Sequence, residues 1–320
     1  MCTSCPKQKK LLAYLFAFSV SFIAFYFAFS PKEQVTPLSS AKPIVSVSTF
    51  TLYEAARAVA GETLQVSSII PLGSDAHAFS PSPSHVANIS KSALFIYSGA
   101  GFERWAEPLK NSLPHTVKVI DMSTHVTLIK SEKGSDEHHD DHDHGVDDPH
   151  YWLDIDNMIR MTQAMEEEFS KLIPSNAPLY HANAAVYITK LEQLKSDYAT
   201  GLKECKNRTL VTNHDAFGYL AHANHLKNIS VIGLSSDEQP SAKTISEVIT
   251  LVKKEGIKTI FFEELISDNV AQTIARESGA GAKSLQPLEN ISEEELKSHQ
   301  TYESIMRDNL TKLSEAMECR

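Results

Sequence analysis

Short runs of β-branched and aromatic residues alternate along the chain with stretches whose apolar residues recur every three or four positions. In the first half, the runs that predict strands are Ile44–Ser48, Leu64–Ile70, Ala93–Gly99 and Val117–Met122. A helical pattern follows the first run and stops at Gly61, because glycine is a common residue just after the last turn of a helix. Strands that alternate with helices predict βαβ units and a parallel sheet.

The second half repeats this order of strands and helices. Its predicted strands are Thr209–Asn213, Ile229–Leu234 and Lys258–Glu264, and its predicted helices, Ser246–Gly256 and Asp268–Gly279, both end at a glycine. The sequence therefore predicts an α/β fold with two similar lobes, each built on a parallel sheet.

A long helical pattern without glycine or proline separates the two halves, from Leu179 to about Thr200. Pro178 suits its first turn and Gly201 its end. A helix of about 22 residues is about 33 Å long, which is enough to join two lobes as a stiff rod. The predicted boundaries are an N-terminal segment at 1–42, a first lobe at 43–177, the connecting helix at 178–203 and a second lobe at 204–320.

The N-terminus combines three lysines with a long apolar run. Lys7, Lys9 and Lys10 precede an uncharged segment at residues 11–29, and a linker follows at about 34–42. Positive charge before an apolar run is typical of an export signal, and about 20 residues also suffice to span a bilayer as a helix. The segment is therefore either a cleaved signal peptide or an uncleaved membrane anchor. The rest of the chain is predicted to be periplasmic or otherwise extracytoplasmic.

Two of the four cysteines lie in the part of the chain that is predicted to be exported. Cys205 and Cys319 are an even pair, and an oxidising compartment favours a disulfide between them. The alternative is two free thiols, because the sequence does not give the distance between their Cα atoms.

The charge balance excludes one class of partner. The chain of 320 residues has 40 acidic and 30 basic side chains, which gives a formal net charge of −10. The phosphate backbone of nucleic acids binds basic surfaces, so we predict no nucleic-acid partner. An acidic protein is compatible with a cationic ligand.

A charged segment holds many of the fourteen histidines. The thirteen positions from Asp136 to Asp148 contain four histidines, six aspartates and one glutamate. Because this segment has almost no apolar residues, we predict a disordered loop at residues 131–148 within the first lobe.

Three other histidines stand in sequence that is typical of ordered turns. His77 follows the second predicted strand in a proline-rich loop, and His214 directly follows the strand Thr209–Asn213. His150 lies between Pro149 and an aromatic pair. Open α/β sheets bind ligands at the carboxyl ends of their strands, so we expect the three imidazoles to meet in one pocket between the lobes. Alternatively, His77 is a surface residue and His150 only the tail of the histidine run.

These residue types point to a metal. Imidazole nitrogens suit zinc, and also copper, iron and nickel, whereas carboxylate and water suit manganese and magnesium. Three imidazoles with one carboxylate, closed to solvent, would be a four-coordinate zinc site. The candidate carboxylates are Glu263 and Glu264, at the end of a predicted strand, and Glu289. Asp148 and Asp215 are candidates to hold the second ring nitrogen of a ligand histidine. Since ligand imidazoles must be neutral, we expect metal affinity to fall below a pH of about 6.5.

Several motifs occur together in the order of one known family. They are HAFSPSPS at His77, DPHYWLDIDN around His150, NHDAFGYLA at His214, the block IFFEELISDNVAQTIARESGA, and the stretches SGAGFERW and YHANAAVYITKLEQL. The set resembles the zinc-type metal-binding receptors of ABC importers, which are periplasmic solute-binding proteins. The similarity covers nearly all residues from Ile44 to Leu313.

The resemblance implies two α/β lobes joined by one rigid helix, with the metal held between the lobes. It implies His77, His150 and His214 as metal ligands, with Glu289 as the fourth. If the alignment instead places Gln286 at the fourth position, a water takes the place of the carboxylate. A histidine as the third ligand resembles the zinc branch, whereas manganese-type relatives tend to have a carboxylate there.

The charged loop resembles the histidine-rich insertion that zinc-type receptors often carry before their second ligand. Its histidines would then be weak secondary zinc contacts, either raising the local metal concentration or binding metal only incidentally. They are His138, His139, His142 and His144.

The sequence thus predicts a receptor and not an enzyme. It would be an extracytoplasmic monomer that captures Zn²⁺ as its transported ligand and delivers it to an ABC permease in the membrane. The alternatives are a manganese- or iron-type receptor or a surface adhesin of the same fold, and a zinc-dependent hydrolase. The sequence has no H-E-x-x-H motif and no nucleophile elbow, and no catalytic residue is predicted.

Overall fold

The computed structural model describes residues 41–131, 146–235, 238–263 and 268–320. Residues Lys42–Arg320 form one compact unit. Within the described ranges, no helix is long and apolar enough to cross a membrane. The predicted export segment at 11–29 lies outside these ranges.

The first lobe is built on a parallel sheet of four strands, as the sequence predicts. Its strands are β1 Ile44–Val47, β2 Gln65–Ser68, β3 Leu94–Tyr97 and β4 Lys118–Asp121. Their order across the sheet is β2-β1-β3-β4, and all neighbours are parallel. Every residue of β3 is buried, which is typical of a central strand that is covered on both faces.

The second lobe has the same topology. Its strands are β5 Thr209–Thr212, β6 Lys227–Ser230, β7 Thr259–Phe262 and β8 Gly281–Ser284. Their order is β6-β5-β7-β8, again with parallel neighbours. In both sheets the first strand lies between the second and the third, which confirms the prediction of two similar α/β lobes.

Two strands of the second lobe differ from the prediction. β6 begins two residues earlier than predicted and ends at Ser230, level with Thr212 at the end of β5. The next two residues, Val231 and Ile232, still donate backbone hydrogen bonds to the Thr212 and Asn213 carbonyl oxygens, at 3.0 and 2.9 Å. β8 has no counterpart among the predicted strands, because its sequence GAKS has little intrinsic strand preference. β8 is therefore a strand because it pairs with β7, and not because of a local sequence preference.

Helices connect the strands in both lobes. In the first half of the chain they are α1 Phe50–Ala60, α2 Pro83–Ile89, α3 Ala106–Lys110 and α4 Ile155–Leu172. The connecting helix is α5, Ala177–Gly201. The later helices are α6 Gly218–Ala223, α7 Ala242–Glu255, α8 Asn269–Ser278, α9 Glu293–Lys297 and α10 Tyr302–Ala316. Short 3-10 turns occur at Met122–His125, Tyr151–Leu153 and Pro174–Asn176.

The connecting helix α5 begins two residues before its predicted start, with Pro178 in the first turn. It packs against α4 and against α10. The buried Tyr198 hydroxyl donates a hydrogen bond to the Met306 carbonyl oxygen of α10 at 2.7 Å. The predicted apolar stripe is only partly buried, since Leu179 and Val186 are 45% and 62% exposed. One continuous helix that packs on elements of both halves makes a stiff connection.

Both ends of the segment that was predicted as a disordered loop, residues 131–148, are ordered in the structure. The backbone N–H of Ser131 donates to the Val146 carbonyl oxygen, and that of Asp148 donates to the Ile129 carbonyl oxygen, both at 3.0 Å. Asp148 is only 2% exposed. The chain is therefore paired and partly buried on both sides of the histidine run. Composition averaged over thirteen residues does not detect this order, because the ordering contacts come from outside the segment.

Cys205 and Cys319 are joined by a disulfide in the structure, and the two residues also form an isolated β-bridge. The next residue, Arg320, donates its backbone N–H to the Glu204 carbonyl oxygen at 3.0 Å. These contacts tie the residues after α10 to the segment before β5.

Candidate metal centre

The predicted site residues lie in loops of both lobes. His77 lies between β2 and α2, and His214 follows β5 by two residues. His150 immediately precedes the 3-10 turn Tyr151–Leu153, and Glu289 lies beyond β8. Loops that follow parallel strands gather at the carboxyl edge of a sheet, where α/β proteins bind ligands.

The structure brings His77, His150, His214 and Glu289 together. Each offers one ligand atom, and these atoms all lie within 4.8 Å of one another. The centroids of the three imidazole rings are 5.5, 5.4 and 5.1 Å apart. The His150 and His214 side chains are fully buried, and those of His77 and Glu289 are 8% and 7% exposed. The pocket thus contains three nitrogen donors and one carboxylate, shielded from bulk water.

Glu289 is the carboxylate of this group. Its Oε1 lies 3.2 Å from His77 Nε2 and 3.2 Å from His150 Nε2. Gln286, the alternative fourth position, lies elsewhere: its side-chain amide donates to Glu295 Oε1 at 3.1 Å. The geometry therefore favours the alignment with a carboxylate over the one with a water.

Carboxylates also hold the second ring nitrogen of two histidines. Asp148 Oδ1 lies 2.8 Å from His150 Nδ1, which agrees with the predicted partner. Glu263 Oε1 lies 2.6 Å from His214 Nδ1. A carboxylate on Nδ1 sets the tautomer and the orientation of the ring, so that Nε2 is the nitrogen available to a metal. Glu263 is therefore the hydrogen-bond partner of a predicted ligand, His214, although the sequence also left Glu263 open as a ligand itself.

The prediction that Asp215 supports His214 is wrong. Asp215 instead accepts hydrogen bonds from Ser131 Oγ at 3.3 Å and from Asn228 Nδ2, on β6, at 2.8 Å. The strand ends at Thr212, and the chain bends at His214 and turns at Asp215, so the Asp215 side chain reaches Asn228 on β6 and not the His214 ring.

Aromatic rings form one wall of the pocket. The Phe102 ring lies 4.7 Å from the His77 ring and 5.1 Å from the Trp152 ring, measured between centroids. Trp152 lies 5.6 Å from the His150 ring, and its indole N–H donates to the Pro287 carbonyl oxygen at 2.8 Å. Buried rings exclude water and strengthen the electrostatic interactions beside them. The sequence indicated the aromatic pair after His150 but not Phe102, whose only signal is the motif SGAGFERW.

A buried carboxylate holds the turn that presents Phe102. Glu103 accepts hydrogen bonds from the backbone N–H groups of Ser98 at 2.9 Å and Gly99 at 3.0 Å. Gly99 has a φ of +76°, and a Cβ at this position would overlap the Asp121 carboxylate. The turn therefore needs glycine, because other residues rarely adopt this backbone conformation.

The ionisable side chains in the pocket shift one another's pKa values. Burial alone would lower the pKa of His150, but the Asp148 and Glu289 carboxylates outweigh it and raise that pKa to about 10. Burial also acts to lower the pKa of His214, but the Glu263 carboxylate outweighs burial and raises that pKa. Burial would raise the pKa of Glu289, yet the neighbouring imidazoles hold it well below its ordinary value. A cation that enters the pocket must therefore displace protons.

Some predicted residues cannot be placed. The loop histidines His138, His139, His142 and His144 and the carboxylate Glu264 lie outside the described residues. Among the other histidines, His85 has a structural role, because its Nδ1 accepts the Ser82 backbone N–H at 3.2 Å in the capping box of α2.

The chain matches one protein family over most of its length. The profile of the family described as ZnuA, zinc-uptake complex component A periplasmic, matches residues 45–316. The zinc-binding protein AdcA of Streptococcus pyogenes serotype M3 is 34% identical over 320 aligned residues, covering 96% of this chain and 61% of AdcA. The high-affinity zinc uptake system protein ZnuA of Bacillus subtilis is 32% identical over 276 residues, covering 84% of this chain and 85% of that protein. The chain thus spans about three fifths of the length of AdcA.

Solved structures agree with this match. The Zn(II)-bound ZnuA-like domain of Streptococcus pneumoniae AdcA has a TM-score of 0.74 at 33% identity, covering 87% of this chain and 100% of that one. The laminin-binding protein Lmb of Streptococcus agalactiae, described as bifunctional with adhesin and metal transporting activity, has a TM-score of 0.77 at 29% identity, covering 86% and 99%. The family match, the two-lobed fold and the buried donor set lead to one conclusion: the chain belongs to the ZnuA family of periplasmic zinc-uptake complex components.

Proposed function

We propose that this protein is an extracytoplasmic receptor that captures Zn²⁺ between its lobes and delivers it, as a monomer, to an ABC permease for zinc uptake. The observation that carries the proposal is the convergence of His77, His150, His214 and Glu289, whose ligand atoms lie within 4.8 Å of one another. Three imidazole nitrogens and one carboxylate oxygen are a complete donor set for tetrahedral zinc.

Zinc is a cation that this donor set favours over manganese. Manganese is best served by carboxylate, carbonyl and water ligands, whereas three of the four donors here are imidazoles. The naming of the AdcA and ZnuA relatives as zinc proteins supports the same choice.

Capture replaces the water shell of the ion with protein donors. Imidazole nitrogens would replace water molecules around the ion as the imidazoles lose their protons. Asp148 and Glu263 would meanwhile hold the His150 and His214 rings in place. Because α5 joins the lobes as one rigid helix, we expect a small tilt of the lobes and local changes in the ligand loops rather than a wide closure.

The same geometry argues against a zinc-dependent hydrolase. Catalytic zinc keeps an open position for water, usually beside a general base. Here four protein donors would complete a tetrahedral shell, and two further carboxylates beside the pocket, Asp148 and Glu263, are engaged by His150 and His214. A family of zinc-uptake components is a family of receptors.

The N-terminal segment at 11–29 would export the protein, either as a cleaved signal peptide or as a retained anchor. A disulfide between Cys205 and Cys319 suits an oxidising compartment and is part of this proposal. An adhesin is the second candidate, since the structure is similar to that of a laminin-binding protein. Binding of laminin to the purified chain, with and without zinc, tests it directly.

Deleting residues 136–146 is expected to leave one tightly bound zinc per chain, because the pocket residues lie outside that segment. The measurements are zinc content after dialysis and titration against a chelating dye. As a control, His77→Ala in the same deletion variant should remove the bound zinc. A deletion variant that binds no zinc would show that the charged loop, and not the pocket, is the principal site. Unchanged uptake at scarce zinc would remove any role of the loop in supplying metal.

Glu263→Gln is expected to weaken zinc binding about tenfold to a hundredfold, because a neutral amide orients and polarises the His214 ring less than a carboxylate does. The matched control is Asp215→Asn, which also converts a carboxylate to an amide. Asp215 is next to His214 in the sequence, but its carboxylate hydrogen-bonds to Ser131 and Asn228. Competition with a chelator measures both dissociation constants. Equal losses in the two variants would mean that net charge, rather than support of the ring, is responsible.

A further inference from the structure

The Tyr219 hydroxyl lies between two chain segments of the first lobe, although Tyr219 itself belongs to helix α6 of the second. The hydroxyl accepts the backbone N–H of Ile129 at 3.0 Å and donates to the carbonyl oxygen of Asp148 at 2.9 Å. Tyr219 is buried. Its contact therefore joins the second lobe to the two segments that enter and leave the histidine-rich loop.

The hydroxyl takes the place of a backbone hydrogen bond. Asp148 donates its N–H directly to the Ile129 carbonyl oxygen at 3.0 Å. In an antiparallel pair, two residues that face each other in this way exchange both N–H···O bonds. Here the second bond, from Ile129 N–H to Asp148 C=O, passes through the Tyr219 oxygen. The phenol thus bridges the two segments at the Asp148 backbone, beside their direct hydrogen bond.

Asp148 also contacts the pocket, through His150. Its Oδ1 accepts the His150 backbone N–H at 2.9 Å and lies 2.8 Å from His150 Nδ1. The residue before Tyr219 also contributes, because a Cβ on Gly218 would lie 2.6 Å from Asp148 Oδ2. The Asp148 carboxylate therefore lies against the first turn of α6, which begins four residues after His214.

Two further features suit Tyr219 to this role. Burial, together with the Asp148 charge, raises the pKa of Tyr219 above its ordinary value, so the phenol keeps its proton and remains a donor. A groove of about 570 Å³, lined in part by Ile129, Asp148 and Gly218, lies beside the contact. Water in this groove is available to groups that lose the hydroxyl, so its removal need not unfold the lobe.

We propose that Tyr219 is a positioning residue for the metal centre: its hydroxyl connects the two lobes at Ile129 and Asp148 and so holds the Asp148 carboxylate on His150. The second lobe thereby supplies a ligand, His214, and controls the orientation of a first-lobe ligand through the same short segment. The inference rests on the proposed zinc-binding function of the pocket.

Tyr219→Phe tests the inference with the full chain loaded with zinc. We expect zinc to dissociate about tenfold faster, since the change displaces the partner of a ligand histidine without removing a ligand. Stopped-flow transfer of zinc to a chromogenic chelator measures the rate. Tyr198→Phe is the matched control, because it also removes a buried hydroxyl that donates to a backbone carbonyl, on the far helix α5. Its dissociation rate should equal that of the wild type.

A double-mutant comparison separates positioning from a general loss of stability. If Tyr219 acts through Asp148, then adding Tyr219→Phe to Asp148→Asn should change the dissociation rate by less than about twofold. A full tenfold effect in that background would overturn the inference. Gly218→Ala provides a second variant: its Cβ would lie 2.6 Å from Asp148 Oδ2, so zinc should dissociate faster as the Asp148 carboxylate is displaced.

The outcomes also distinguish this inference from the proposed function. A wild-type chain that binds zinc, together with a Tyr219→Phe variant of unchanged dissociation rate, would overturn only the inference. A wild-type chain that takes up no zinc would overturn both.

Discussion

His214→Ala is expected to weaken zinc binding about a hundredfold to a thousandfold. Apparent binding free energies of four-ligand zinc sites are about 10–16 kcal/mol, so one ligand of four accounts for about 3 kcal/mol. The variant also leaves the buried Glu263 carboxylate without its imidazole partner, which lowers the stability of the fold rather than the zinc affinity. Competition with a chelating dye of known affinity measures the change.

His139→Ala removes the same atoms from a histidine of the charged loop and is the matched control. We expect it to leave the affinity of the pocket unchanged. Similar losses in the two variants would show that loop and pocket form one site, against the proposed separation. Thermal unfolding of both metal-free proteins checks that the His214 variant is folded, since removing a buried ring leaves a cavity.

Zinc affinity is expected to rise by at least about tenfold per pH unit between pH 6 and pH 8. The pKa of His150 is raised to about 10 and that of His214 is also raised, so the metal-free pocket carries protons throughout this range. Each proton that zinc displaces adds one to the slope of log K against pH. Displacement of two protons would therefore raise the zinc affinity about ten-thousandfold between pH 6 and pH 8. Histidines with ordinary pKa values would give a flat profile above pH about 6.5, so titrations at pH 6, 7 and 8 decide between the two.

The same shifts predict how the metal-free protein responds to pH. A histidine whose pKa is raised on folding stabilises the fold fully below its unfolded pKa of about 6.5 and loses this contribution as pH rises through its folded pKa. The lowered pKa of Glu289 has the opposite sense: its contribution is present above the unfolded pKa of about 4.3 and is lost at lower pH. The metal-free thermal midpoint should therefore fall from pH 6.5 to pH 9, whereas the zinc-loaded protein, whose imidazoles hold metal instead of protons, should not show this fall.

The strands and helices that could be predicted are those with a strong local signal. β3, a run of four buried apolar residues, and α7, which ends at a left-handed Gly256, follow from residue type and periodicity alone. β8 and the true limits of β6 do not, because pairing with a neighbouring strand decides where a weak strand begins and ends. The order at the Ser131 and Asp148 ends of the charged loop was missed for a related reason, since it depends on pairing between the chain segments on either side of the histidine run.

The three pocket histidines could be selected from the sequence because each stands after a strand or beside a proline, unlike the histidines of the charged run. The carboxylates could not be assigned in the same way. Glu263 and Glu289 both lie beyond a strand of the second lobe, yet one supports the His214 ring and the other lies among the imidazoles. Asp215, beside a ligand in the sequence, faces away from it.

The sequence by itself determined the α/β class, the repetition of one topology in two lobes, the rigid helix between them and the identity of the imidazoles. These properties depend on residue type, periodicity and local turns, which act over a few residues. Only the tertiary structure decided which carboxylate joins the pocket, which one orients each ring, and that Tyr219 connects the lobes beside His150. Those choices depend on distances between residues that are far apart in the chain, and such distances exist only once both lobes have packed together.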